Sequence, residues 1–182
     1  TATGKNVGGP VSAAGRLSVL LEIDGINRVR CITADPQDLS DERIRVMASS
    51  DKICRQLHRP LQSGSTRILK AMNRRSTKEQ YLELVDRIRT AIPDIALTTE
   101  IIVGFPGETT EDVDETIDVI KKVRFDNAFT FIYSKRTGTP AASMENQVPE
   151  ADAHAGFDRV LKAVQDTARE QVRLLAGKTM EA

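Results

Sequence analysis

Cysteine is scarce in this 182-residue chain: there are two, Cys31 and Cys54. Two cysteines cannot form a disulfide scaffold, and they point to a reducing compartment, read here as the cytoplasm. They also exclude any metal or iron–sulfur site built from three or more cysteines of this chain. Net charge is lacking too, because 26 Lys+Arg stand against 26 Asp+Glu. A basic coat over the whole surface is excluded, so any contact with RNA must be a local patch. No apolar run reaches the roughly 18 residues of a membrane span. There is no signal-peptide pattern, no internal repeat and no low-complexity tract. What remains, 40% hydrophobic and 29% charged residues, is the balance of one ordinary globular domain.

Strand and helix patterns alternate along it. Residues 1–15, rich in Gly, Ala, Ser and Pro, read as a loop. Residues 28–33 read as a strand stopped by Pro36, and Ser40 caps a helix with Asp41 and Glu42 in its first turn. A second strand is expected over 56–61, although Pro60 interrupts its ladder. Ser65 is read as the cap of a helix, and Thr77 with Gln80 as a capping box for the next. Ile95, Leu97, Thr99, Ile101 and Val103 alternate as a third strand, followed by a helix behind Thr109 and Asp112. Phe129, Phe131 and Tyr133 mark a fourth strand, and residues 150–175 a long helix that Gly156 weakens locally. Successive βα units at this spacing predict an α/β fold with a parallel sheet, open or closed into a barrel.

In either form ligands bind at the C-terminal strand ends, which directs attention to residues 33–36, 58–65, 104–108 and 134–139. Gln62 and Ser63 offer a donor and acceptors, and Gly64 permits close backbone approach; a plain helix cap explains the same residues. Gly104 and Gly107 around Phe105 and Pro106 suit a flat ring against backbone. Glu108 could bind polar edges or serve only the helix dipole. Lys135 and Arg136 put two cations at the end of the fourth strand, where Arg136 could hold a phosphate or sit in a solvated turn. His58 at a strand end is more often structural than catalytic, and His154 is read as inert. Arg67, Lys70, Arg74 and Arg75 run along a helix toward its end, a placement the helix dipole explains, with a phosphate patch as the sharper reading; Arg74 and Arg75 are expected to matter little to a cofactor.

Taken together, His58–Arg59–Pro60–Leu61–Gln62–Ser63–Gly64–Ser65, Met72–Asn73–Arg74–Arg75, Thr98–Thr99–Glu100–Ile101–Ile102–Val103–Gly104–Phe105–Pro106–Gly107–Glu108–Thr109 and Phe131–Ile132–Tyr133–Ser134 resemble the radical S-adenosylmethionine methylthiotransferases. The resemblance runs from about residue 4 to 179. It implies a partial parallel (βα) barrel, incomplete here at its N-terminal strand and carrying a long C-terminal helix. It implies S-adenosylmethionine and 4Fe–4S clusters as cofactors, with the cluster-binding regions outside these residues, no metal ligands in this chain, and a chain inactive alone. Divided on that pattern, residues 1–145 are the barrel, 146–176 a linker and helix, and 177–182 the start of an RNA-binding barrel.

Carried over by position, Gln62, Ser63 and Ser65 are expected at the methionine or ribose end of the cofactor. Glu100, Ile102, Val103 and Gly104 are expected beside adenine, and Tyr133 and Ser134 at its edge. Glu100 stands where the family usually has Asp. Arg136, Lys135 and His58 are the candidates for substrate contact. The implied activity is radical installation of a methylthio group on N6-isopentenyladenosine beside a tRNA anticodon, with the anticodon stem-loop as partner. Two alternatives stay open: a sister enzyme acting on threonylcarbamoyl-adenosine tRNA or a ribosomal-protein aspartate, and a cluster-free βα module that only binds a nucleotide or RNA.

Overall fold

The computed structural model describes residues 12–32 and 39–179. The readings placed on residues 1–11, 33–38 and 180–182, including the first βα loop and Pro36, lie outside the described residues. The elements run α1 (Ala13–Glu22), β1 (Val29–Ile32), α2 (Asp41–Ala48), β2 (Ile53–His58), α3 (Thr66–Ala71), α4 (Lys78–Ala91), β3 (Ala96–Val103), α5 (Thr110–Val123), β4 (Asn127–Ile132) and α6 (Glu150–Arg173). The four strands form one parallel sheet in the order β1-β2-β3-β4.

Period-two alternation decides what each face does. Along β3, Leu97, Thr99, Ile101 and Val103 are buried, whereas Thr98, Glu100 and Ile102 are only half-buried. The buried set meets Leu57 of β2, Ala128 of β4 and the stripes Leu84, Val85, Ile88 of α4 and Val119, Ile120 of α5 in one core. α6 packs on α5 and β4. Gly156 fits it there, because a Cβ at that position would lie 3.1 Å from Val103 Cγ1 and 3.3 Å from Val113 Cγ2. Among the described residues the opposite face carries no helix, and it leaves Ile32, Phe129 and Phe131 exposed.

Several boundaries differ from those expected. β2 occupies 53–58, not 56–61, because Pro60 cannot donate to the ladder. The chain rejoins the sheet through a single bridge between Gln62 and Ile101. Residues 13–15 are helix and not loop: the Ser12 hydroxyl accepts the Gly15 N–H at 3.0 Å and caps α1. Only Ala14 and Leu17 of α1 are buried, so no apolar stripe announced it. The capping boxes of α4 and α5 form as expected. Ser65 does not cap α3 with its side chain.

Candidate cofactor site at the strand ends

The stretch after β2 is fixed by β3. Thr99 Oγ1 donates to the Arg59 carbonyl at 2.8 Å and accepts the Leu61 N–H at 2.9 Å. Gln62 N–H then donates to the Glu100 carbonyl, and Ile102 N–H to the Gln62 carbonyl, both at 2.8 Å. This pins Gln62 at φ +71, a conformation costly for a residue with a Cβ and tolerated where the surroundings over-determine it. Its side chain reaches Glu100 Oε2 at 3.5 Å.

Between the ends of β3 and β4 opens a cleft of about 770 Å³. Gln62, Glu100, Ile102, Phe105, Tyr133 and Ser134 line it, with Arg74 and Arg136 also on its walls. Phe105 and Tyr133 meet edge to face, their centroids 5.4 Å apart. The Tyr133 hydroxyl is buried and has no hydrogen-bond partner among the described residues, an arrangement that normally marks a missing ligand or water. Arg136 is exposed and enters no ion pair among the described residues.

Not every expected residue faces this cleft. Ser63 and Ser65 are fully buried on the other side of the loop. Ser65 Oγ donates to Asp112 Oδ1 at 2.6 Å, and the Ser63 hydroxyl lies 3.5 Å from Thr116 Oγ1 on α5. Gly64 is required by α5 and not by a ligand: a Cβ there would run into the Thr116 and Glu115 backbone. The Val103 side chain packs against Gly156 of α6. Gly104, at φ +77, directs a would-be Cβ to 2.8 Å from Ala153 Cβ on α6, so a larger residue there would strain the fold and not fill the cleft. Lys135 is exposed, and His58 sits deeper on the open face.

Asp112 ties the two loops together. It accepts from Ser65 Oγ, from Thr109 N at 2.8 Å and from the Arg67 guanidinium, which also donates to the Gly107 carbonyl at 2.8 Å. Burial pushes its carboxyl up, but those hydrogen bonds outweigh burial and hold it below the ordinary range. Glu108 lies outside the cleft, in a separate cavity of about 620 Å³ against α6. There it accepts the Gly104 N–H, and burial pushes it up to about 7. Phe105, read from the sequence as part of an apolar wall for a flat ring, lines the cleft, and Phe131 and Arg74 are cleft residues that the sequence did not single out for the cofactor. For Arg74 the signal was Asn73 just after α3, whose φ of +57 turns the chain back toward the sheet.

A parallel sheet with a nucleoside-sized cleft at its C-terminal strand ends defines a βα cofactor-binding domain. The pattern of the Radical SAM superfamily matches residues 12–120, and the chain belongs to that superfamily. Its tRNA-2-methylthio-N(6)-dimethylallyladenosine synthase relative from Lachnoclostridium phytofermentans is 52% identical over 178 residues, covering 98% of this chain and 39% of the relative. The protein of the same name from Acetivibrio thermocellus is 53% identical over 178 residues, covering 98% of this chain and 37% of its own length. This chain therefore spans well under half the length of the relatives it matches. Among solved structures, coproporphyrinogen III oxidase from Escherichia coli, a radical SAM enzyme, superposes with a TM-score of 0.53 at 16% identity, over 81% of this chain and 32% of that one. The radical S-adenosylmethionine methyltransferase TsrM from Kitasatospora setae gives 0.54 at 20% identity, over 71% and 25%. Both share the fold.

The cleft fits S-adenosylmethionine, the cofactor of this superfamily. Its volume is right for a nucleoside-sized ligand, Phe105 and Ile102 offer an apolar wall, and the unpartnered Tyr133 hydroxyl awaits a polar edge. The residues present do not fit an iron–sulfur cluster. Cys31 is buried on β1, Cys54 is half-buried on β2, and neither lines the cleft. Among the described residues no group of three or more His, Cys, Asp or Glu is placed to hold a metal ion, and no helix is long and apolar enough to cross a membrane.

Proposed function

We propose that this chain forms the cofactor-binding, substrate-facing part of a tRNA methylthiotransferase that installs a 2-methylthio group on N6-isopentenyladenosine beside the anticodon. The observation that carries this reading is identity of 52% across 98% of the chain, cleft-forming segments included, with a relative of that name. When bound, S-adenosylmethionine would supply hydrogen-atom abstraction from an unreactive carbon, with any iron–sulfur cluster held by residues other than the described ones; that chemistry is the cofactor's.

The share of this chain is binding and shielding. Gln62 and Ser134 would meet the polar edges of the cofactor, Ile102 and Phe105 its flat ring, and the Tyr133 hydroxyl would gain a partner. The apolar wall keeps water from the ring's face. Lys135 and Arg136, at the mouth, would grip the RNA backbone, where cations position without reading sequence. On this reading residues 1–145 belong to a partial barrel, 146–176 link and brace it, and 177–182 begin an RNA-binding barrel. The same reading puts the protein in the cytoplasm with the anticodon stem-loop as its partner.

The test is nucleoside mass spectrometry of tRNA from cells with and without the gene. The methylthio group should vanish from isopentenyladenosine in the deletion and return with the gene. An unchanged nucleoside profile would refute the reading.

A further inference from the structure

The open face below the cleft carries a constellation that cofactor binding does not use. Register places Glu100 beside Phe129, Ile102 beside Phe131, and His58 beside Thr98. His58 Nδ1 lies 3.0 Å from Thr98 Oγ1, and its Nε2 lies 3.4 Å from Glu100 Oε1. The imidazole also meets the Phe129 ring edge to face at 6.1 Å. His58 is thereby held on three sides, and it fixes one oxygen of Glu100 while Gln62 approaches the other. Yet the Glu100 side chain remains 40% exposed, and Phe129 and Phe131 are 53% and 51% exposed. An ordered acceptor thus stands next to two bare aromatic rings. The patch is continuous with the cleft, because Glu100, Ile102 and Phe131 line both.

We propose that this patch recognises the substituted edge of an N6-alkylated adenine, and so determines which modified nucleoside is taken; the proposal rests on the methylthiotransferase reading. An alkyl tail on N6 has no polar group and gains by covering Phe129 and Phe131. The one hydrogen left on N6 needs an acceptor, and an ionised carboxylate only accepts. Glu100 supplies it without reorganising, since His58 and Gln62 already orient it. A substituent ending in a carboxylate is rejected on two counts. Glu100 repels it, and the phenylalanines strip its water without replacing the lost hydrogen bonds.

The test uses the intact gene product and fluorescence anisotropy with three anticodon stem-loop RNAs. They carry adenosine, N6-isopentenyladenosine or N6-threonylcarbamoyladenosine at the same position, and the readout is the ratio of Kd values within each protein. The wild type should bind the isopentenyl loop about tenfold tighter than the unmodified one, the scale of apolar discrimination in a pocket, and should bind the threonylcarbamoyl loop no better than unmodified. Phe129→Ala should bring the first ratio to within about twofold, and Phe129→Leu, which keeps an apolar side chain, should hold it above about fivefold. Glu100→Gln, which removes the charge and keeps an acceptor, should improve the threonylcarbamoyl loop relative to the others. An isopentenyl preference that survives Phe129→Ala, or a threonylcarbamoyl loop favoured by the wild type, overturns the proposal. Failure of the methylthiotransferase reading would show separately, in the tRNA nucleoside profile.

Discussion

The two faces of one sheet obey opposite rules. Facing the helices, Leu57 and Ile101 are fully buried and Thr99 is hydrogen-bonded at both ends. On the open face two phenylalanines of β4 are bare, and just past β4 a buried tyrosine hydroxyl has no partner among the described residues. Alternation lets one strand serve stability with one set of side chains and ligands with the other. The comparison teaches that substitutions should separate: those toward the helices should cost folding, and those toward the cleft should cost binding.

The largest effect is expected at Gly64, whose substitution to Val drives a branched side chain into the α5 backbone. Stability should fall by about 3 kcal/mol or more, the upper end of overpacking costs, and urea denaturation measures it. A well-folded Gly64→Val protein would break the division, because it would return that glycine to the ligand side. Next is Asp112→Asn. It weakens charge-assisted bonds from Ser65, Thr109 and Arg67 and should cost about 2 kcal/mol at neutral pH. Because the Asp112 carboxyl is held below its ordinary range, its contribution exists above that range and is lost as pH falls through it.

Glu108 runs in the opposite sense. Burial raises it from 4.5 to about 7, so the folded protein holds a proton that the unfolded chain releases. Stability should therefore decline as pH rises between those two values, by on the order of 1–2 kcal/mol after allowance for its partial exposure. Glu108→Gln keeps an acceptor for the Gly104 N–H and should remove that part of the decline in thermal melts. Parallel melting curves for the two proteins from pH 4.5 to 7 would contradict the assignment.

The smallest stability effect belongs to the cleft mouth. Arg136→Ala should leave folding unchanged within about 0.5 kcal/mol. It should weaken tRNA binding by about 1–2 kcal/mol and make the salt slope of log K shallower by about one unit. Identical slopes for the two proteins would remove Arg136 from the RNA site.

How much of this could be read in the sequence follows the same division. Strand β3 and its faces were legible, because Leu97 to Val103 alternate without exception and capping boxes mark the helices on either side. Helix α1 was not legible, since only Ala14 and Leu17 face inward and Gly15 sits in its first turn. In the site, the loops were found but not the direction of each side chain within them. Ser63, Ser65 and Gly104 lie in the right segments, yet a positive φ at Gln62 and another at Gly104 turn their neighbours toward α5 and α6. The angle at Gln62 arises from hydrogen bonds to residues about 40 positions away in sequence, Thr99 and Glu100 holding 61 and 62, and no local pattern encodes it. Phe131 was visible as a strand residue; its place in the cleft depends on α6 covering the other face.

The central claim is that the cleft between β3 and β4 holds S-adenosylmethionine, and Tyr133 tests it most directly. Tyr133→Phe deletes a single buried oxygen that has no partner among the described residues. The measurement is calorimetric titration of S-adenosylmethionine into the intact gene product and into the variant, with melting temperatures recorded beside it. The account predicts an unchanged or slightly raised Tm and a Kd weakened about fivefold to tenfold, the worth of one hydrogen bond gained only with the ligand. An unaltered Kd, or a loss of stability in place of affinity, would contradict it.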